Sequence, residues 1–257
     1  MKIIKRRWLL IVLVPGILFC VLLIIQRLQT LPPQKTDIRQ PGGQQEFNKE
    51  MHSISKTDSL WAVVNKGRKL PADYIPTDLV SVDVPVRFNA DAKMRQQAAK
   101  SLKELFNAAE ADNVSLLVVS AYRSYEYQST VYNRSVNVHG QTVTDATSAK
   151  PGHSEHQTGW AVDIGTIDRR CELEECFADT IEGRWLENNA HRYGFIIRYP
   201  RDTQNITGYS YEPWHIRFVG QELASEMKKN NNRTLEQFFG LNFYATYPSE
   251  IVLLSSR

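Results

Sequence analysis

Cysteine is scarce in this chain, three in 257 residues, too few for a disulfide-stapled scaffold or for a metal site built on thiolates. Acidic residues are missing altogether from positions 1–30, which hold Lys2, Lys5, Arg6, Arg7 and Arg27. The formal net charge of +3 therefore comes from the N-terminus, and the rest of the chain sums to −2. A mildly acidic body has no electrostatic footprint for nucleic acid, so none is expected as a partner. No internal repeat occurs, which argues against a solenoid. What remains is ordinary globular composition, 42% hydrophobic and 23% charged, in a chain long enough to bury a sizeable core.

Trp8 to Ile25 is an almost unbroken apolar run, interrupted at Pro15-Gly16. About eighteen residues at ~1.5 Å each reach roughly 27 Å, enough for a hydrocarbon core with little tilt. The basic cluster before it places residues 1–7 in the cytoplasm and everything after residue 25 outside, at the cell membrane. An uncleaved single-pass anchor is expected over a cleaved signal peptide, because the apolar run is long and no Ala-x-Ala site follows. Phe19 is too bulky a neighbour for lipid processing at Cys20, which reads as a small hydrophobe. Residues 26–58 are rich in Gln, Pro, Gly, Lys and Ser without apolar periodicity, the composition of a tether. Outside the cytoplasm, Cys171 and Cys176 can form a local disulfide or remain free thiols.

The ordered body is expected over 59–240, with 241–257 an unpatterned tail. Trp61–Asn65 reads as a short strand. Met94, Ala98, Leu102, Leu105, Phe106 and Ala109 recur at helical spacing, predicting a helix over 91–111 capped by Asn89 or Asp91. Val114–Ser120 is a buried strand by length, and 124–136 a second helix. Strands follow over 160–164, 195–199 and 215–219, and helices over 183–193, 221–229 and 234–239. Helices and strands intersperse without regular alternation, so the fold class is α+β with a mainly antiparallel sheet flanked by helices, after one transmembrane helix.

Two runs carry the chemistry, Ser154-Glu155-His156-Gln157-Thr158-Gly159-Trp160-Ala161-Val162-Asp163 and Glu212-Pro213-Trp214-His215. Two imidazoles, a carboxylate and a spare glutamate make the inventory of a catalytic zinc site with one ion. His156 and Asp163 stand too far apart for one helical turn, with Gly159 between them. The economical geometry is a loop bearing His156, a glycine turn, then a strand on which Ala161 and Asp163 share a face. Glu212 enters as the general base, because the water to be activated needs a proton acceptor close by. Spacing alone leaves the roles of Glu212 and Asp163 interchangeable. His52, His139, His153 and His191 lack metal spacing. Arg123, at the end of a buried strand, could clamp a carboxylate bidentately or simply sit at the surface.

The pattern Ser154-x-His156-x-x-Gly159-x-Ala161-x-Asp163 with Glu212-x-Trp214-His215 resembles the VanY-type zinc D-alanyl-D-alanine carboxypeptidases, a family that also includes L,D-carboxypeptidases. Ser120-Ala121-Tyr122-Arg123-Ser124 resembles that family's substrate-binding segment, and Tyr193-Gly194-Phe195-Ile196-Ile197-Arg198-Tyr199-Pro200 also fits. The resemblance covers about residues 60–220. It implies the compact α+β zinc-peptidase fold, with His156, Asp163 and His215 as Zn²⁺ ligands and Glu212 as catalytic base. It further implies Arg123, Gln128 and Ser154 as substrate-binding residues. The implied activity is removal of the C-terminal D-Ala from peptidoglycan pentapeptide stems or their precursors. Two rival readings are an L,D-carboxypeptidase acting on tetrapeptides and a catalytically silent cell-wall binder. The loop over 168–179, with its cysteine pair, is not part of the family pattern.

Overall fold

The computed structural model describes residues 47–248, and the expected anchor over 8–25 lies outside them. Among the described residues no helix is long and apolar enough to cross a membrane. In chain order the elements are β1 (Leu79–Ser81), β2 (Lys93–Arg95), α1 (Gln96–Ala111), β3 (Leu116–Ser120), α2 (Tyr125–His139) and α3 (Gln141–Thr147). They continue with β4 (Ala161–Thr166), α4 (Ile181–Asn189), β5 (Phe195–Tyr199), α5 (Gln204–Thr207), β6 (Glu212–Phe218), α6 (Gln221–Lys229) and α7 (Leu235–Phe239). The fold is α+β, as the interspersed pattern predicts.

The main sheet runs β3-β4-β6-β5, each pair antiparallel. Period-2 alternation divides its residues between two faces. Val162, Ile164, Ile216, Phe218 and Phe195 point to the face covered by α1, where Ala98, Leu102, Leu105 and Ala109 complete the larger core. Ala161, Asp163, His215 and Arg217 point to the other face, with Ala161 opposite Arg217 and Asp163 opposite His215. A smaller cluster around Trp61, Ile196, Leu223 and Phe238 closes that side.

Several expectations are corrected by tertiary contacts. The helix expected from residue 91 begins at Gln96, because Arg95 N–H donates to Gly159 O and Gln96 N–H to Asp78 O, both at 3.0 Å. Those bonds hold 93–95 extended as β2, and Arg95 stands at the helix start without a side-chain cap. The strand expected at Trp61–Asn65 is absent. There the buried Arg217 guanidinium donates to Leu60 O and Ala62 O at 2.9 Å, satisfying carbonyls that a neighbouring strand would otherwise take. α3 was unforeseen, since its sequence lacks an apolar stripe.

The packed unit also begins earlier and ends later than the expected 59–240. Phe47 stacks on Trp61 at 5.7 Å, Lys49 Nζ donates to Phe238 O at 2.8 Å, and Ile54 O accepts from Val63 N–H at 3.1 Å. At the other end Tyr244 lies across Gly67, where a Cβ would stand 2.3 Å from its ring. Tyr247 Oη accepts from Lys150 N–H at 2.8 Å.

Candidate active site

His156 lies in a single 3-10 turn, Glu155–Thr158, closed by Gly159 in the left-handed region at φ 72°. A side chain there would be strained, and its Cβ would fall 2.8 Å from Arg95 Cγ. The turn delivers the chain into β4, which carries Asp163, and β6 supplies both Glu212 and His215. The strand register shifts between Val118 and Ser120 of β3 and between Ile197 and Tyr199 of β5, beside Asp163 and Glu212 respectively. Such irregularities re-aim side chains at the rim of a site.

His156, Asp163 and His215 converge with one ligand atom each, all within 4.8 Å of one another. His156 Nε2 is 3.2 Å from Asp163 Oδ2, and His215 Nδ1 is 3.0 Å from Asp163 Oδ1. The rings cross almost at right angles, 87°, with centroids 4.9 Å apart. His156 Nδ1 donates to Ala121 O at 2.6 Å, which fixes the tautomer and leaves the Nε2 lone pair free. His156 Nε2 and Asp163 Oδ1 are buried without a hydrogen-bond partner. Orphaned buried ligand atoms of this kind fit a cation.

The charges agree. Burial, then Arg123, lowers the pKa of His156 to about 4, keeping the imidazole neutral as ligation requires. Burial opposes ionisation of Asp163, yet the two histidines hold it far below the ordinary carboxylate range. His215 is pulled down by burial and more than restored by Asp163 and Glu155, reaching about 9, so with no ion bound it carries a proton that ligation would displace. Glu212 Oε2 stands 3.7 Å from His215 Nδ1. Burial raises its pKa to about 7, poised between holding and releasing a proton near neutral pH.

Glu155, inside the motif but assigned no role from sequence, is buried on the far side of His215. Its Oε1 accepts from Arg198 Nε at 2.9 Å and Arg217 Nη1 at 2.8 Å. Its Oε2 has no partner and lies 3.8 Å from the equally unpartnered His215 Nε2. A carboxylate behind the outer nitrogen of a ligating histidine orients the ring and raises its basicity. Arg198 is in turn held by Glu236 through two bonds of 3.0 and 2.7 Å, and Asn65 Nδ2 donates to Glu236 at 2.9 Å. Only the spacing of charged residues along the buried strands β5 and β6 could have signalled this network.

The expected substrate residues reach the same place. Arg123 Nη2 is 3.8 Å from Asp163 Oδ2, and its backbone N–H donates to His156 O at 3.3 Å. Gln128, in the first turn of α2, is 1% exposed; its Nε2 donates to Ala149 O at 2.7 Å and its Oε1 is unpartnered. Ser124 caps that helix, its Oγ accepting from Tyr127 N–H. Ser154, Gln128 and Arg123 line a cavity of about 60 Å³ together with His156, Glu212 and His215. His153 turns away, its Nδ1 2.8 Å from Asn65 O and its ring against Tyr247. Cys171 and Cys176 are joined by a disulfide.

Fold and site together define a metallohydrolase of the zinc-peptidase kind. The family model described as VanY, D-alanyl-D-alanine carboxypeptidase, matches residues 91–221, and the chain belongs to that family. It is 33% identical over 178 residues to an Enterococcus gallinarum enzyme named a bifunctional D-Ala-D-Ala dipeptidase and carboxypeptidase, covering 68% of this chain and 91% of that one. It is 36% identical over 174 residues to an Enterococcus faecalis D-alanyl-D-alanine carboxypeptidase, covering 64% of this chain but 60% of that relative's length. Among solved structures, the LdcB LD-carboxypeptidase superposes with TM-score 0.67 at 41% identity, covering 72% of this chain and 88% of that one. A VanY D,D-pentapeptidase variant in complex with Zn(II) superposes with TM-score 0.60 at 32% identity, covering 72% and 99%.

Proposed function

We propose that this chain is a membrane-anchored zinc D,D-carboxypeptidase that removes the C-terminal D-Ala from peptidoglycan pentapeptide stems. The observation that carries the reading is the convergence of His156, Asp163 and His215, with the partly buried Glu212 carboxylate 3.7 Å from His215. His156 Nε2, Asp163 and His215 Nδ1 would hold the Zn²⁺. When bound, that ion supplies a Lewis acid for the scissile carbonyl and acidifies water. Glu212 takes the proton of the attacking water and returns it to the leaving amine of D-Ala. Arg123 pairs with the free terminal carboxylate, while Gln128 and Ser154 hydrogen-bond the peptide from the same cavity. Residues 8–25 would anchor the domain outside the cytoplasm, with 26–46 as tether.

An L,D-carboxypeptidase acting on tetrapeptides is the second reading, favoured by the closer superposition on LdcB, 0.67 against 0.60. The deciding experiment is mass spectrometry of pentapeptide and tetrapeptide muropeptides after incubation with the zinc-loaded protein, with and without a chelator. Chelator-sensitive loss of one Ala from the pentapeptide alone supports the D,D reading; loss from the tetrapeptide alone supports the L,D reading. Tight binding without cleavage of either would leave a cell-wall binder. Protease accessibility of intact cells tests the anchor: a domain shielded from external protease would refute its placement outside.

A further inference from the structure

Residues 241–248 follow α7 and take no part in the proposed chemistry, yet they dock behind the wall of the reaction cavity. Tyr244 N–H donates to Ile206 O at 3.3 Å. Lys66, 3% exposed, makes no ion pair among the described residues; its ammonium donates to Gly208 O at 2.5 Å and Ala245 O at 3.1 Å. The same ammonium lies over the rings of Tyr209 and Tyr247, at 4.9 and 5.3 Å. A buried cation held only by carbonyls and phenol faces makes departure of the segment costly. Lys150 Nζ lies over the Tyr247 ring at 4.3 Å and His153 meets that ring edge-on at 5.0 Å, so the phenol is fixed from several sides.

The hydroxyl of that phenol reaches the cavity wall at two places. Tyr247 Oη accepts from Lys150 N–H at 2.8 Å, and it stands 3.2 Å from Tyr209 Oη. Residues 148–154 join α3 to the turn bearing His156 with no helix or strand of their own. Ser148, Ala149 and Tyr209 line the cavity of about 60 Å³, whereas Tyr247 stands outside it. Ala149 O accepts from Gln128 Nε2 at 2.7 Å, and the Gln128 Oε1 left unpartnered is the acceptor this side of the cavity offers to a peptide. The Tyr209 ring lies 4.9 Å from that of Tyr199, which in turn lies 5.0 Å from His215. A loop with few anchoring hydrogen bonds opens locally at little cost. The bond at Lys150 therefore weighs heavily in where Ala149 stands.

We propose that Tyr247 is a positioning residue: by holding the Lys150 backbone it keeps Ala149, and through it Gln128, in the arrangement that receives the peptide. This rests on the carboxypeptidase reading. Tyr247 touches neither the reacting atoms nor the metal ligands, so its contribution falls on binding rather than on the chemical step.

The test is Tyr247→Phe in the zinc-loaded full chain, because the phenyl ring keeps its packing against Lys66, Lys150 and His153 and loses only the hydroxyl. Ser148 N–H donates to Thr144 O at 2.7 Å and not to Tyr247. Its hydrogen exchange is expected to quicken about fivefold as the wall loosens, with exchange in β4 and β6 unchanged. For whichever muropeptide the parent cleaves, KM should rise about fivefold, the worth of one hydrogen bond, with kcat and zinc affinity unchanged. In a double-mutant cycle, Gln128→Ala and Tyr247→Phe should be non-additive in kcat/KM, because both act through Ala149. Unchanged exchange at Ser148, an unchanged KM, or additive effects would each overturn the proposal. If the parent cleaves neither pentapeptide nor tetrapeptide, the carboxypeptidase assignment fails, and the exchange result still decides whether Tyr247 holds the wall.

Discussion

Glu212, partly buried, and Asp163, buried, are two carboxylates beside one imidazole, and their surroundings push them in opposite directions. Burial carries Glu212 up to about 7, whereas the flanking histidines keep Asp163 ionised. Such a separation fits the proposed roles that residue spacing alone leaves open: an anion held ionised suits a ligand, and a group raised toward neutrality suits a proton carrier. Replacing Glu212 by Ala should therefore leave zinc content intact and lower kcat by about 10²–10⁴-fold; loss of the metal would make Glu212 a ligand. Arg123→Ala should raise KM for peptides with a free C-terminal carboxylate and leave C-terminal amides unaffected. Parallel loss on both would return it to a structural role. Glu155→Gln should weaken zinc binding by roughly 10–100-fold, read by competition with a chromophoric chelator. Unchanged affinity would make Glu155 a structural counter-ion alone. The motif residues were legible because their types and order carry the chemistry. Glu155 was not, because its meaning comes from Arg198 and Arg217 on two other strands.

Among the elements, β5 and α6 match their predicted bounds, since each is closed by strong local punctuation, with Gly194 before β5 and Gly220 before α6. The expected strand at Trp61–Asn65 shows the limit of pattern reading. Its apolar residues are buried, but a guanidinium rather than a strand satisfies the carbonyls there. The start of α1 was likewise misplaced by partners at Asp78 and Gly159, distant in sequence. The cysteine pair could not be resolved as bond or thiols from spacing. As a short crosslink it should stabilise by about 2 kcal/mol through the unfolded chain. Reduction is then expected to lower the melting temperature by roughly 5 °C, and an unshifted transition would show that the ion pairs of Glu172 with Arg87 and Arg169, at 3.0 and 3.2 Å, suffice to hold the loop.

For the molecule as a whole, the α+β class and antiparallel sheet were readable from interspersed periodicities, whereas the limits of the packed unit were not. Phe47, Tyr244 and Tyr247 sit in segments of low patterning and are fixed only by what they touch. Cutting the chain after Gly240 should destabilise it measurably in denaturant, because Tyr244 and Tyr247 leave Gly67 and Lys150 uncovered; an unaltered midpoint would make the tail dispensable. A metal held at 100 times its Kd adds about 2.7 kcal/mol to stability. Chelation should accordingly lower the melting temperature by roughly 5–10 °C, and its failure to do so would argue against a resident ion.

Asp163 and His215 are directly opposed residues of neighbouring strands. A slip of one residue between β4 and β6 would turn one of them to the helix-covered face. Only a correctly registered pair of strands can therefore close the ligand set. A register error in this one strand pair would thus cost the ligand set while leaving most of the backbone hydrogen bonding intact.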